Sequence, residues 1–275
     1  MDSFGVGRRD ASADETRAAN RDWWDAEAVA YYAEHGSFLG DADLVWGPEG
    51  LTEADLHVLG DLAGRDVLEI GSGAAQGGRY VAGLGARVVS TDLSLGMLRQ
   101  AQAIDSGSSA PLPLAQCDAA ALPFADASFD MVFTAYGAVP FAADSGAIMR
   151  EAARVLRPGG RFVFSTTHPV RWAFPDAPGA EGLVADRSYF DRTPYVEEGD
   201  DGVATYVEHH RTLGDRVREI VAAGLALVDL VEPEWPDHNR QVWGGWSPTR
   251  GRVIPGTAIF VTELPPSALQ SARSA

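Results

Sequence analysis

A glycine-rich turn with an acid before it is the part of this chain best suited to hold a ligand. The run Glu69-Ile70-Gly71-Ser72-Gly73 follows a short apolar strand pattern and precedes a helical one. Such a turn presents backbone N–H groups to a bound molecule. Asp92 ends the next strand pattern, about twenty residues on, where a carboxylate can accept both hydroxyls of an adenosine ribose. These features predict a nucleoside-cofactor site, with a plain strand-to-helix turn as the alternative.

Three details favour S-adenosylmethionine over a dinucleotide. Gln76 stands where the dinucleotide fingerprint has its third glycine. Glu69 would repel a pyrophosphate, whereas it would attract the ammonium group of a methionine moiety. Asp118 ends a third strand pattern, where it can accept a hydrogen bond from the adenine amine while Ala119 packs on the ring. Together these residues predict an S-adenosylmethionine site.

The residues that would assist a methyl transfer are harder to find. The transfer is an in-line displacement, so positioning of the acceptor supplies much of the acceleration. A base is needed only where the acceptor is a hydroxyl or a protonated amine. His168, Tyr136 and His210 are the predicted candidates for such a role. For His168, which follows the fifth strand pattern, the alternative is a hydrogen bond that fixes the loop.

Five motifs resemble those of class I S-adenosylmethionine-dependent methyltransferases, particularly the small-molecule branch related to ubiquinone-biosynthesis methyltransferases. They occur in order at residues 67–73, 90–94, 118–124, 129–132 and 151–160. The resemblance implies transfer of a methyl group to a small molecule, which leaves S-adenosylhomocysteine. It also implies a cofactor site made of Tyr32, Glu69, Gly71, Ser72, Gly73, Asp92, Leu93, Met97, Asp118, Ala119 and Ala135.

The alternation of short strands and helices predicts an α/β fold with a parallel sheet and helices on both faces. The resemblance makes this a Rossmann-like sheet of seven strands, with the last inserted antiparallel beside the fifth. We predict a flexible tail over residues 1–20, a helical cap over 21–60, a methyltransferase domain over 61–264 and a second flexible tail over 265–275. Residues 168–205 are rich in proline, glycine and acids, which indicates a lid insertion rather than sheet.

Aromatic residues near the two ends of the chain have two interpretations. Trp23, Trp24, Tyr31 and Tyr32 would either cap the cofactor or pack plainly against the sheet. The later tryptophans would either form an aromatic wall for a flat or cationic acceptor or pack within the lid. They are Trp172, Trp235, Trp243 and Trp246.

Composition excludes several kinds of chemistry. The chain has a formal net charge of −17, and all 22 of its Lys+Arg residues are arginine. Without lysine there is neither Schiff-base chemistry nor a Walker phosphate loop. The negative charge argues against nucleic acid and anionic membranes. The single cysteine, Cys117, rules out an internal disulfide and a cysteine zinc cluster, and we predict no metal.

No apolar run in the chain approaches the roughly 20 residues of a membrane helix, so a cytoplasmic location is expected. Two functions compete with methyl transfer: a nicotinamide-dependent oxidoreductase and a non-catalytic module that binds S-adenosylmethionine. The acceptor atom and the oligomeric state stay open.

Overall fold

The computed structural model describes residues 5–108 and 110–266, whose strands form two sheets. In chain order the strands are β1 (Gly5–Arg8), β2 (Asp66–Ile70), β3 (Arg87–Asp92), β4 (Leu114–Gln116), β5 (Phe129–Ala135), β6 (Leu156–Thr167), β7 (Tyr195–Glu198), β8 (Ala204–Glu208), β9 (Ala226–Val231) and β10 (Thr257–Glu263).

The larger sheet has seven strands in the order β4-β3-β2-β5-β6-β10-β9. Strands β2 to β6 pair in parallel, whereas β10 is antiparallel to both β6 and β9. This arrangement confirms the predicted Rossmann-like sheet, including the antiparallel last strand beside β6. The carboxyl ends of β2, β3 and β5 therefore meet at one edge, where ligands bind in folds of this kind.

Seven α-helices lie in the described residues, and the third to the sixth of them contact strands of this sheet. They are α1 (Ala13–Leu39), α2 (Glu53–Leu56), α3 (Gln76–Gly83), α4 (Leu95–Asp105), α5 (Ser145–Val155), α6 (Leu213–Ala222) and α7 (Pro248–Gly251). Side-chain caps fix where several of them begin: Ser94 accepts a hydrogen bond from Met97 N, and Thr212 forms a capping box with Asp215. Each cap satisfies a backbone N–H that the first turn leaves without a partner.

The core has one apolar layer on each face of the large sheet. Neighbouring residues such as Val67 and Leu68 are both fully buried, and they belong to opposite layers. Because successive side chains of a strand point to opposite faces, a strand buried on both faces reads as a continuous apolar run. Apolar residues next to one another therefore allow β2, β5 and β6 to be predicted as strands from the sequence.

The insertion contains sheet, so its prediction as a non-sheet segment was wrong. Strands β7 and β8 form a hairpin, and β1 pairs antiparallel with β7. The turn residues at 199–202 gave the segment a loop-like composition, while the short strands beside them carry only Val196 and Val207 as fully buried apolar side chains. Two such short strands give almost no periodic signal.

The N-terminal tail prediction was wrong for residues 5–8 and 13–20. The former are β1, and the latter are the first turns of α1, which starts at the N-cap Ser12. Ser12 accepts a hydrogen bond from Glu15 N, and the Ser-x-x-Glu spacing is a helix-start signal that the sequence did display. Of the C-terminal tail, residues 267–275 lie outside the described part.

None of the helices in the described ranges is long and apolar enough to cross a membrane.

Candidate functional site

The glycine turn after β2 is held against the loop after β5. Gly71 has φ +62°, and a β-carbon there would lie 2.7 Å from the carbonyl carbon of Gly137. A β-carbon at Gly137 would lie 2.0 Å from the carbonyl oxygen of Gly71, so neither position has room for a side chain. The backbones of the two loops are therefore in direct contact, and both loops line the cavity at the ends of β2 and β5.

Glu69 lies beneath the start of α3, at the carboxyl end of β2. Its side chain is buried, and the Ser90 hydroxyl donates a hydrogen bond of 2.6 Å to its Oε2. β-carbons at Gly77 and Gly78 would each lie 2.7 Å from one of its carboxyl oxygens, so only glycine lets the helix pass over it. Burial raises the pKa of Glu69 to about 7.

Asp92 occupies the corresponding position at the end of β3. Its two oxygens accept hydrogen bonds of 2.8 Å from Gly73 N and Ser94 N. Burial raises the pKa of Asp92 to about 6, although these two N–H groups favour the carboxylate. The carboxylate therefore links the glycine turn to the start of α4.

Two cavities meet at these residues. The larger is about 530 Å³, a volume within the range of roughly 300–1,000 Å³ found for small-molecule sites. The smaller is about 130 Å³, and Gly71 and Asp92 line both. The predicted cofactor residues that line the larger cavity are Tyr32, Glu69, Gly71, Ser72, Gly73, Asp92, Met97 and Ala135, and Leu93, Asp118 and Ala119 line the smaller.

A fit to S-adenosylmethionine is supported by the polar atoms of the larger cavity. The hydroxyl oxygen of Ser72 is buried and has no hydrogen-bond partner in residues 5–108 or 110–266. A buried polar atom left in this state costs about 1–3 kcal/mol, which a bound polar ligand would recover. With Glu69 for an ammonium and Asp92 for a ribose, the residues present fit a zwitterionic nucleoside.

Asp118 in the smaller cavity is already paired. One carboxyl oxygen accepts from Ala120 N at 2.8 Å, and the other lies 2.9 Å from Nε of Arg17. Arg17 belongs to α1 and was not singled out by the sequence, because nothing local marks a contact between residues 101 positions apart. The N-terminal helix thus reaches the predicted adenine side of the site.

Tyr136 lines the larger cavity, in the left-handed region at φ +57°. Its hydroxyl lies 2.9 Å from the Thr257 hydroxyl and donates to Gly256 O at 3.1 Å. Burial raises the pKa of Tyr136 well above its usual range, so its phenol stays protonated and cannot act as a base.

His168 and His210 line neither cavity. Nδ1 of His168 accepts from Val170 N at 3.1 Å, and its Nε2 lies 2.8 Å from a carboxyl oxygen of Glu232. Nε2 of His210 lies 2.8 Å from Tyr189 O. Burial lowers the pKa of both imidazoles. The structure thus gives His168 the loop-fixing contact that the sequence left as its alternative.

The lid brings polar residues into the larger cavity that the sequence did not identify. Tyr206 donates a 2.6 Å hydrogen bond to Oε1 of Glu208, at the end of β8. Arg171 pairs with Asp176 at 2.7 Å. All four line the cavity, although Arg171 and Asp176 belong to the predicted insertion while Tyr206 and Glu208 lie just beyond its predicted end. No spacing rule connects residues that only tertiary packing unites.

Aromatic side chains supply much of the remaining wall. Trp23, Trp24, Tyr31, Tyr32, Trp243 and Trp246 all line the larger cavity. Trp172 and Trp235 are buried and line neither cavity, so these two take the packing role. Trp243 stacks on His35 with 4.3 Å between ring centroids.

Helix α1 is fastened on both sides of the cavity. Asp25 accepts hydrogen bonds from the Ser94 hydroxyl at 2.6 Å and from Gly96 N at 2.7 Å, both at the start of α4. Five residues earlier, Asn20 exchanges two hydrogen bonds of 2.9 Å with the backbone of Val207 in β8. The helix therefore joins the cofactor side of the cavity to the lid.

No group of three or more His, Cys, Asp or Glu side chains in the described residues is arranged to hold a metal ion.

Comparisons with known proteins agree with this geometry. The protein family described as a methyltransferase domain matches residues 68–164. The demethylmenaquinone methyltransferase of Mycobacterium sp. (strain JLS) is 40% identical over 220 residues, which cover 76% of this chain and 80% of that protein. The malonyl-(acyl-carrier protein) O-methyltransferase of Pseudescherichia vulneris is 40% identical over 111 residues, 40% of this chain and 42% of that protein. With the latter, the match thus spans less than half of the relative's length.

Among solved structures, an S-adenosylmethionine dependent methyltransferase from Mesorhizobium loti superposes with a TM-score of 0.62 and 27% identity. The match covers 79% of this chain and 100% of that chain.

Proposed function

This chain belongs to the S-adenosylmethionine-dependent methyltransferase family, and from that premise we propose that it transfers a methyl group from S-adenosylmethionine to a small-molecule acceptor. The observation that carries the proposal is a pair of acids, the buried Glu69 and the part-buried Asp92, at the ends of adjacent strands on either side of a glycine turn. The bound sulfonium would supply an already activated methyl group, and S-adenosylhomocysteine would be the product.

In this proposal each part of the cofactor has its own contacts. Glu69 holds the ammonium group, with Gly71, Ser72 and Gly73 around the methionine portion. Asp92 accepts the ribose hydroxyls. Leu93 and Met97 pack on the adenine ring, and Asp118 and Ala119 contact its edge. Tyr32 lies toward the methionine carboxylate, and Ala135 and Tyr136 lie beneath the sulfonium.

Asp118 contacts the adenine edge in this proposal together with a second residue. Because its carboxylate pairs with Arg17, the two residues would meet the adenine edge together. Arg17 would thereby tie α1 to the cofactor as well as to the domain.

Tyr136 acts in this proposal by position rather than by proton transfer. Its raised pKa keeps the hydroxyl protonated, and its two partners fix the ring beside the transfer point. Neither His168 nor His210 has a role in the transfer here, because the contacts of both rings lie outside the cavities.

The two competing functions are less well supported. A nicotinamide cofactor would place its pyrophosphate against the buried carboxylate of Glu69, and Gln76 replaces the glycine that such a site needs. A non-catalytic module would not need the polar lid residues that extend the cavity beyond Tyr136.

We also propose a cytoplasmic location and an acceptor other than nucleic acid. The net charge of −17 would repel a phosphate backbone, and arginine is the one strongly basic residue type in the chain. The small-molecule assignment is supported by a cavity of about 530 Å³ that must also hold part of the cofactor.

Isothermal titration with S-adenosylmethionine, S-adenosylhomocysteine and NAD tests the cofactor assignment. We expect the first two to bind and NAD to give no heat. Asp92→Ala should weaken S-adenosylmethionine binding by about 1.5–3 kcal/mol, which is about 10- to 100-fold, because it removes charge-assisted hydrogen bonds. Binding of NAD alone, or equal affinity in wild type and variant, would contradict the assignment.

A further inference from the structure

The half of the larger cavity beyond Tyr136 carries polar groups that the cofactor assignment does not use. Arg171 and Asp176 come from the segment after β6, and Tyr206 and Glu208 come from β8. In the proposed reaction the methyl acceptor would occupy the part of the cavity that the cofactor leaves free, so these groups would determine which molecules can enter.

Glu208 is the carboxylate of this set that lacks a countercharge in contact. Arg171 is already paired with Asp176 at 2.7 Å, and no ion pair joins Glu208 to any residue in the described ranges. Its side-chain hydrogen bond comes from Tyr206 at 2.6 Å. Burial raises the pKa of Glu208, although the positive charge of Arg171 nearby opposes that rise. A cationic ligand would stabilise this carboxylate.

The charge of the whole cavity also favours a cationic ligand. Its lining includes seven carboxylate residues, which are Glu27, Glu34, Asp43, Glu69, Asp92, Asp176 and Glu208, and a single arginine. An anionic acceptor would be repelled as it entered, whereas a cationic one would be attracted.

Aromatic rings lie beside Tyr206, the tyrosine that donates a hydrogen bond to Glu208. The Tyr206 ring lies 5.1 Å from that of Trp23 and 5.8 Å from that of Phe141, measured between centroids, and all three line the cavity. Faces of Trp and Tyr rings attract cations, by about 0.5–2 kcal/mol each.

A buried donor in the same half also lacks a partner. Nε of Arg171 makes no hydrogen bond to any residue that the structure describes. A buried N–H in this state is satisfied when a ligand oxygen accepts from it.

We propose that the acceptor is an amine whose ammonium group binds Glu208 and whose own hydroxyl or carbonyl oxygen accepts from Arg171, and that the amine nitrogen receives the methyl group. This inference rests on the proposed function and names its substrate class. In the transfer, the amine gives its proton to the Glu208 carboxylate and forms the new N–C bond. The C–S bond breaks, and its electron pair stays on sulfur.

A binding experiment on protein saturated with S-adenosylhomocysteine tests the recognition. The probes are tyramine, phenethylamine, which lacks the oxygen, and hydroxyphenylpropionate, which has a carboxylate in place of the amine. We expect tyramine to bind at least about tenfold more tightly than hydroxyphenylpropionate and several-fold more tightly than phenethylamine. Equal or tighter binding of the carboxylate, or no binding of either amine, would overturn the proposal.

Two matched variants locate the effect. Glu208→Gln should abolish the preference for tyramine. Glu197→Gln should preserve it, because Glu197 has the same kind of tyrosine partner, Tyr195 at 2.7 Å, but does not line the cavity. A preference that persists in Glu208→Gln would refute the role of this carboxylate. Failure of S-adenosylhomocysteine itself to bind wild-type protein would instead refute the proposed function.

The pH dependence of tyramine binding separates a direct contact from a structural role. The titratable and charged groups around Glu208 are Arg171, Asp176, Tyr195, Glu197 and Tyr206. Affinity should rise with pH as Glu208 ionises, and Glu208→Gln should remove that rise while Glu197→Gln keeps it. With the amine that binds most tightly, Glu208→Gln should also lower kcat by about 100-fold and leave the affinity for S-adenosylhomocysteine unchanged. Unchanged kcat, or methylation at oxygen, would overturn the proton transfer.

Discussion

Replacing Glu69 with glutamine should make the ligand-free protein more stable at neutral and alkaline pH while it weakens cofactor binding. The carboxyl group has a pKa of about 7 in the fold, raised by burial from its ordinary value of 4.5. An acid whose folded pKa is raised favours folding at low pH, and that stability is lost as the pH rises through the folded value. Wild-type protein should therefore lose stability relative to the variant as the pH rises from about 4.5 through 7.

The size of this effect follows from the shift itself. At 1.36 kcal/mol for each pKa unit, the rise from 4.5 to about 7 corresponds to about 3 kcal/mol, most of it between pH 5 and 8. For a chain of this length, that corresponds to a difference in Tm on the order of 5–10 °C. Because glutamine can still accept the hydrogen bond from Ser90, the variant should keep the local packing.

Urea denaturation of both proteins between pH 5 and 8 provides the measurement. The quantity to follow is the difference in unfolding free energy between variant and wild type, since all other titrating groups are common to both. This difference should move in favour of the variant by about 2–3 kcal/mol as the pH rises across this range. A difference that stays constant with pH would refute the raised pKa.

The same variant tests the contact with the cofactor ammonium. In wild type at pH 7, binding should release about half a proton from Glu69, because a cation drives a half-protonated carboxyl to ionise. Titrations in buffers with different ionisation enthalpies measure this release, which Glu69→Gln should largely remove.

Glu53→Gln is the matched control. Glu53 is also buried, burial also raises its pKa, and it lines neither cavity. It should change the pH dependence of stability without changing proton release on binding. Loss of proton release in the control as well would mean that the release does not come from the cofactor contact.

Three further perturbations have distinct expected outcomes. Gly137→Ala should nearly abolish S-adenosylmethionine binding in titration calorimetry, because a β-carbon would meet the backbone of Gly71; affinity equal to wild type would contradict the backbone contact between the two loops. His168→Ala should lower the free energy of unfolding, measured in urea, by about 1–3 kcal/mol, because Val170 N and Glu232 lose their partner. It should leave kcat unchanged. A selective loss of kcat would show that His168 takes part in the methyl transfer. Arg17→Ala should weaken S-adenosylhomocysteine binding several-fold, because it removes the ion pair with Asp118. The control Arg21→Ala, which removes an exposed ion pair with Asp22 on the same helix, should leave the affinity unchanged. Equal effects of the two variants would show that α1 influences binding only through its own stability.

The cofactor half of the site could be predicted because its determinants are local. Glu69 and the glycine turn are consecutive, and Asp92 ends the very next strand, so strand order alone brings them to one edge. The burial of β2 and β5 on both faces also left short apolar runs in the sequence, Val67-Leu68 in β2 and Met131-Val132-Phe133 in β5.

The acceptor half could not be predicted, since its residues converge only through tertiary packing. Arg171 follows β6 and Glu208 ends β8, and a helix that starts at residue 13 holds β8 in place. His168 is a different case. It follows the fifth strand of the large sheet, as its position in the sequence indicates, but its ring contacts Glu232, which lies far along the chain and could not be identified as its partner from the sequence. Position in a strand does not determine the direction of a side chain in the loop after it.

The fastening of α1 has a consequence for how this scaffold can diversify. Asn20 joins the helix to β8, β1 joins the start of the chain to β7, and Asp25 fixes the whole group onto α4. Residues 5–39 and 195–208 therefore form one exchangeable unit, although more than 150 positions separate them. A chimera that takes only one of the two segments from a homologue would break the pairing. One that takes both would keep the pairing, and it would keep the cofactor contacts only if Arg17 and Tyr32 of α1 are retained.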